Sequence, residues 1–183
     1  MDAARIRLEP WTDADLALLR RVNTPEMKKH VGGPETEEQL LVRHGRYLDF
    51  VPSGLGCMFR IVLVGEAEPV GTVGYAARSW QGGTVYEMGW NVLPPHQGRG
   101  IAALATRAAV AAARSGARHR YLHAFPSVDH PASNAVCRKA GFTLLGETDF
   151  EFPPGRPMRS NNWRVDLSYP FRTDPMGDEL TCR

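Results

Sequence analysis

Between Thr84 and Arg114 the chain reads TVYEMGWNVLPPHQGRGIAALATRAAVAAAR, a run that few folds can accommodate. A strand-like segment holding one acid, Glu87, stops at Pro94-Pro95. Gln97-Gly98-Arg99-Gly100 then turns the chain, and Ile101, Leu104, Ala105, Ala108 and Ala112 fall on one helical stripe. The order is strand, glycine-rich turn, helix N-terminus. The first-turn N–H groups of a helix have no partner inside it, and the helix dipole adds positive potential there. Glycines on either side of Arg99 let a ligand come close to the backbone. Such a turn is an anion site, and phosphate is the guest it suits.

Two phosphate-binding classes fit poorly. Gly98-Arg99-Gly100-Ile101-Ala102-Ala103 satisfies the dinucleotide pattern G-x-G-x-x-G/A in form. That pattern opens directly off a strand, whereas Pro94 to Gln97 intervene here. The ribose-binding acid expected about 20 residues further on is missing, since Arg118-His119-Arg120 occupies that region and Asp129 comes later. The remaining chain is also short for a doubly wound sheet. A P-loop fails because no Gly-Lys-Ser/Thr follows a glycine-rich run.

Length and charge narrow the class further. The 183 residues suit one domain, expected over 5–170, with a polar tail over 171–183. A net charge of +2 gives no argument for nucleic acid or membrane partners. Cys57, Cys137 and Cys182 are odd in number and scattered, which disfavours a disulfide framework and suits a reducing compartment. No apolar core follows Met1-Asp2-Ala3-Ala4. The run from Ile101 to Ala113 is interrupted by Arg107 and falls short of the ~20 residues of a membrane span. A cytoplasmic protein is expected.

Alternation predicts a strand over 5–9, and Thr12 with Asp15 makes a capping-box-like start to a helix carrying Leu16, Leu19 and Val22. A connector over 27–33 leads to a helix over 37–50, with Glu35, Glu37 and Glu38 suiting its N-terminal end. Strands are expected over 57–64 and 70–77, and a turn over 79–83 returns the chain to the strand carrying Glu87. After the helix that ends at Ser115-Gly116 come a strand over 118–125, a helix over 132–140, and a hairpin of 142–152 with 162–169 around Pro153-Pro154-Gly155. The class is α/β. His119 and His123, four apart on a strand, share a face but have no carboxylate nearby, so no metal is expected.

Gln97-Gly98-Arg99-Gly100-Ile101-Ala102 resembles the pyrophosphate-binding Q/R-x-x-G-x-G/A loop of the GNAT N-acetyltransferases, which use acetyl-CoA. Tyr86-Glu87-Met88-Gly89-Trp90 is similar to that family's central strand, which often carries an acid. The segment from Ser133 to Phe142 resembles its second CoA-contacting helix, which closes on Lys-x-Gly-Phe. Arg5 to Thr12 with Asp15 resembles the branch that includes ribosomal-protein N-terminal acetyltransferases. The match covers about residues 5 to 168. It implies an α+β GNAT fold: a mixed, mostly antiparallel central sheet of about six to seven strands flanked by helices.

Acetyl transfer to an amine imposes three requirements. Acetyl-CoA must be held, and the resemblance assigns the backbone amides of Gln97, Gly98, Arg99, Gly100, Ile101 and Ala102 to the pyrophosphate, with Arg99 adding charge. Asn91, Val92 and Leu93 offer backbone hydrogen bonds to the pantetheine arm, because Pro94-Pro95 halts strand pairing. An alkylammonium must also lose a proton, and Glu87, directly or through a water, is the candidate base. An apolar segment surrounds it, a setting that favours proton uptake, although an acid on a half-exposed strand is otherwise usually solvated. Third, the thiolate departs. Where many relatives carry a Tyr four residues before the glycine of the Gly-Phe ending, this chain has Cys137, expected to be a small buried helix residue, so a general acid is in doubt or unneeded. Where many carry an Asn eleven residues before that glycine, His130 stands; Ser133 and Asn134 either substitute as cofactor contacts or Asn134 faces water. The implied acceptor is a primary amine, a protein N-terminus or a small molecule, and the chain a monomer or homodimer. A non-catalytic CoA-binding module of the same fold is the alternative.

Overall fold

The computed structural model describes residues 5–116, 118–152 and 155–168. Its strands are β1 (Ile6–Pro10), β2 (Gly56–Leu63), β3 (Pro69–Trp80), β4 (Gly83–Val92), β5 (Tyr121–Ala124), β6 (Thr143–Glu151) and β7 (Pro157–Asp166). They form one seven-stranded sheet in the order β1-β2-β3-β4-β5-β7-β6. Every neighbouring pair is antiparallel except β4 and β5. The helices are α1 (Leu16–Arg21), α2 (Pro25–Lys28), α3 (Glu37–Ser53), α4 (Ile101–Gly116) and α5 (Pro131–Lys139). The mixed, mostly antiparallel sheet flanked by helices is the fold that the sequence led us to expect. Among the described residues no helix is long and apolar enough to cross a membrane.

Two apolar clusters sit on opposite sides of the sheet. On one side the alanine-rich stripe of α4 (Ile101, Ala105, Ala109) packs on Phe59, Ile61, Val73, Tyr86, Met88 and Leu122. Small side chains let the helix lie close to the strands. On the other side Trp11, Leu18, Leu19, Val22 and Leu40 join α1 and α3. Side chains alternate across a strand. With Tyr86 and Met88 turned to α4, Glu87 between them is turned to the face that α1 and α3 cover.

Local chemistry fixes the helix starts. The Thr12 amide and hydroxyl both donate to Asp15 Oδ2 at 2.7 and 2.8 Å, and Arg60 pairs with Asp15 at 3.2 Å. Glu37 and Glu38 lie in the first turn of α3, as expected, and its cap is Thr36. Its amide donates to Gln39 Oε1 at 2.9 Å, and Gln39 N–H returns a bond to Thr36 Oγ1 at 3.3 Å.

The last strand starts at Pro157, earlier than the expected 162. The Phe152 amide donates to Arg156 O at 3.0 Å, closing the hairpin tip, and Arg159 pairs with Glu147 and Asp149 across the strands. Polar residues there are strand because of these cross-strand partners. Cys57 is disulfide-bonded, against the expectation from the cysteine count, while Cys137 is a free thiol. Pro153, Pro154, the last residues of the expected domain and the tail over 171–183 lie outside the described residues.

Candidate active site

β4 is ten residues long and pairs with β3 from end to end. With β5 it pairs at only two registers, Tyr86↔Leu122 and Glu87↔His123. Beyond Glu87 the two strands part. The Leu93 amide donates to Val70 O at 2.8 Å. By antiparallel alternation the peptide groups of Asn91 also face β3, and those of Trp90 and Val92 face the gap. The Val92 carbonyl is taken by Gln97 Nε2 at 2.8 Å, and the Asn91 side chain donates to Thr72 Oγ1 at 3.2 Å. The backbone edge expected from Asn91, Val92 and Leu93 therefore shifts: Asn91 and Leu93 are engaged with β3, leaving Trp90 and the Val92 amide along the gap.

At the end of β4 a single 3-10 turn spans Pro94–His96, and the Gln97 amide closes it on Pro94 O at 3.2 Å. This removes the Gln97 amide from the expected anion cradle, although its side chain anchors the turn. Gly98 and Gly100 follow with φ of 74° and 78°, and a Cβ at either would meet nothing within 4 Å. Backbone conformation demands glycine here, and the space above is open. The bond from the Leu104 amide to Gly100 O, 3.1 Å, is the first of α4. The amides of Ile101, Ala102 and Ala103 precede it and have no intrahelical partner. Arg99 is exposed beside them, its Nη1 3.4 Å from His96 Nδ1. This row of N–H groups with one guanidinium fits a pyrophosphate.

Glu87 stands where the β4–β5 pairing ends. Its carboxylate is 26% exposed and accepts from Arg78 Nη1 at 2.7 Å. The expected apolar surroundings are thus replaced by an ion pair. Arg78 lies 4.2 Å over the Phe150 ring, and its Nη2 donates to Glu151 O at 3.4 Å. His123, the register partner of Glu87, is 4% exposed and shares a 2.8 Å hydrogen bond with Asn162 Oδ1. Burial lowers its pKa, against the opposing effect of the Asn162 hydrogen bond. His119 lies outside β5, edge-on against Tyr86, so the two histidines share no face. Arg78 went unnoticed in the sequence, yet a signal existed. The turn Gln81-Gly82 has positive φ at both residues, 47° and 81°, as a two-residue hairpin requires. That turn sets Arg78 against Val85, hence diagonal to Glu87 on the same face.

On α5 the expected cofactor contacts take other positions. Asn134 neither faces water nor is free to hold a cofactor. It is 6% exposed, donates to Ser127 O and His130 O at 2.9 Å, and accepts from Asn161 Nδ2 and Trp163 Nε1 at 2.8 Å. Replacing it with Leu leaves several buried groups unpaired, and we expect a loss of about 2–4 kcal/mol of unfolding free energy. Urea titration checks this; a loss under about 1 kcal/mol contradicts it. Ser133 is half-buried with no side-chain hydrogen bond among the described residues. Cys137 has no exposed surface, and burial pushes its thiol up to about 12, as suits a core residue.

His130 precedes α5, its ring stacked on His30 at 4.2 Å. Burial, then the charges of His30 and Lys29, push it down to about 4. The unfolded chain, with pKa near 6.5, binds this proton first, so stability is lost as pH falls from about 6.5 to about 4. For a half-buried ring screening reduces the effect to about 1 kcal/mol. Urea midpoints over that range should fall less steeply in His130→Gln; an unchanged slope assigns the acid sensitivity elsewhere.

A cleft lies between the α2–α3 connector and the β6–β7 hairpin. Arg156 Nη1 donates to Gly32 O at 2.7 Å, and this pair, with Phe152, borders two cavities. One, about 290 Å³, is lined by Lys29, His30, Ser127 and Asp129 among others. The other, about 480 Å³, includes Lys28, Glu35, Glu38, Arg43 and Arg46. Phe152 adjoins Glu151, whose carbonyl holds the partner of Glu87.

A sheet parted after two parallel registers, a glycine turn at a helix start and a carboxylate where the strands part are the architecture of a CoA-dependent acyltransferase. Residues 5–143 match the family described as the Acetyltransferase (GNAT) domain. The chain belongs to the GNAT acetyltransferase family. Among solved structures it is similar to an acetyltransferase from Agrobacterium tumefaciens str. C58, with 24% identity, 90% of this chain and 92% of that one covered, and a TM-score of 0.73. It is similar to the spermidine N-acetyltransferase from Vibrio cholerae, in complex with CoA and spermine, with 17% identity, 89% and 96% coverage and a TM-score of 0.72. RimL, a ribosomal L7/L12 alpha-N-protein acetyltransferase in complex with CoA, gives 20% identity, 88% and 93% coverage and a TM-score of 0.72. No curated protein sequence matches the chain.

Proposed function

We propose that this protein acetylates a primary amine from acetyl-CoA, with Glu87 as general base. The observation that carries this reading is the gap between β4 and β5, with Glu87 at its closed end and the Gly98–Gly100 turn at its open end. The amides from Gly98 to Ala102 and the Arg99 guanidinium receive the pyrophosphate. Trp90 and the Val92 amide hydrogen-bond the pantetheine arm, which runs along β4 as a strand would. The acceptor nitrogen attacks the thioester carbon, the C–S bond breaks, and the proton of the ammonium passes to Glu87 directly or through water. A gap-facing amide of β4 stabilises the oxyanion. Cys137 gives no proton; a thiolate leaves readily near neutral pH.

Arg78 positions the base. A bidentate-capable guanidinium fixes the carboxylate rotamer and is itself braced by Phe150 and the Glu151 carbonyl. For the acceptor, a peptide N-terminus is favoured by the likeness of Arg5 to Asp15 to the ribosomal-protein branch and by the RimL likeness. Calorimetric titration with acetyl-CoA, followed by thiol release over a panel of peptide N-termini, polyamines and aminoglycosides, tests the reading. Micromolar binding with turnover of one class supports it. Absence of acetyl-CoA binding by the folded protein sinks it.

A further inference from the structure

The larger cavity holds a cation that the fold does not answer. Lys28, the last residue of α2, is 9% exposed and lines that cavity. Among the described residues its ammonium has no hydrogen-bond or ion-pair partner. Lysines buried to this degree usually have a partner, and here the stem is covered while the ammonium keeps access to the cavity. The nearby acid is already engaged: Glu35 Oε1 accepts from Arg43 Nε and Nη2 at 2.8 and 2.7 Å. Asn23 holds the Glu35 backbone from both sides, at 2.8 and 2.9 Å, and the Glu35 carboxylate attracts Lys28 without forming an ion pair with it. Arg46 and Arg156 add two more cations to the lining, and Glu38 is the other carboxylate on it. After internal pairing the wall retains an excess of positive charge.

We propose that this cavity recognises carboxylates on the acceptor, so that the amine reaching Glu87 belongs to a peptide N-terminus followed closely by acidic residues. The inference rests on the acetyltransferase reading above and specifies its substrate class. Phe152 and Arg156 line the cavity at the hairpin tip, and Phe152 is next in the chain to Glu151, whose carbonyl braces Arg78, the partner of Glu87. The same cations repel polyamines and aminoglycosides.

The test measures binding of fluorescent peptides to the CoA-saturated protein, which needs no turnover. An acidic peptide, Ser followed by three acidic residues, is compared with its lysine counterpart, with spermine and with free aspartate. At least tenfold preference for the acidic peptide is expected, and Lys28→Met should remove most of it while leaving acetyl-CoA affinity unchanged. Because the variant deletes an unpaired buried charge, its melting temperature should rise, which separates a lost ligand from a lost fold. Arg46→Gln, at an exposed position, should weaken the acidic peptide severalfold without that rise. Binding of the peptide but not of aspartate assigns the carboxylates to a polypeptide; binding of both supports a small acidic amine equally well. Equal affinity for the basic peptide or spermine, or an unchanged preference in both variants, overturns the proposal. Acidic-peptide binding that depends on Lys28 without any acetyl transfer keeps the cavity's chemistry and overturns its place in catalysis.

Discussion

Glu87→Gln is expected to lower kcat by about 10²–10³-fold with acetyl-CoA affinity within about twofold of wild type. Gln keeps the length and the hydrogen bond to Arg78 but cannot take a proton. Steady-state thiol release gives kcat, and calorimetry gives the affinity. The loss should shrink as pH rises, because an N-terminal amine with pKa near 8 deprotonates itself and needs the base less. A loss that is flat with pH points to a positioning role. Turnover within about threefold of wild type would remove Glu87 from the proton path. Arg78→Met supplies the comparison: a smaller drop, about tenfold, is expected if the guanidinium only orients the carboxylate.

Gly100→Glu should weaken acetyl-CoA binding by at least about 100-fold. Two effects combine. A residue with a Cβ at φ 78° carries strain of about 1–2 kcal/mol. The carboxylate would also sit at a helix start, where the dipole and free amides attract anions, and would occupy or repel the pyrophosphate. Gly100→Ala carries the strain without the charge and should lose clearly less. Calorimetric titration of both variants, with circular dichroism to confirm the fold, measures this. Equal losses would mean that backbone conformation, and not the anion site, decides binding. Binding of wild-type strength in the Glu variant would mean the pyrophosphate lies elsewhere.

The parts legible in the sequence were those governed by local chemistry. Paired prolines ended β4, two positive-φ glycines turned the chain, and an apolar period of 3.6 gave α4. What escaped depended on partners far along the chain. Asn134 read as a surface or cofactor-facing polar residue because nothing local says that Trp163 and Asn161 converge on it. The ion pair of Glu87 needed a hairpin register. Lys28 looked like an ordinary charged residue of a connector until α3 and the β6–β7 hairpin closed over it. Pairing of β7 from Pro157 likewise depended on ion pairs with an edge strand, which carry no period. The order of the sheet, with β7 inserted between β5 and β6, is likewise a long-range property.

The two-register seam between β4 and β5 has a bearing on how long the protein lasts. Among the described residues, main-chain bonding joins the strand groups on either side of it at those registers alone. A pantetheine arm lying in the seam, as proposed above, would act as a removable eighth strand, contributed by the substrate. Ligand at a hundredfold over its dissociation constant adds about 2.7 kcal/mol to the folded state. The fraction of molecules opened to proteases falls by about the same hundredfold. Abundance of this protein in a cell would then follow the supply of its own acetyl donor.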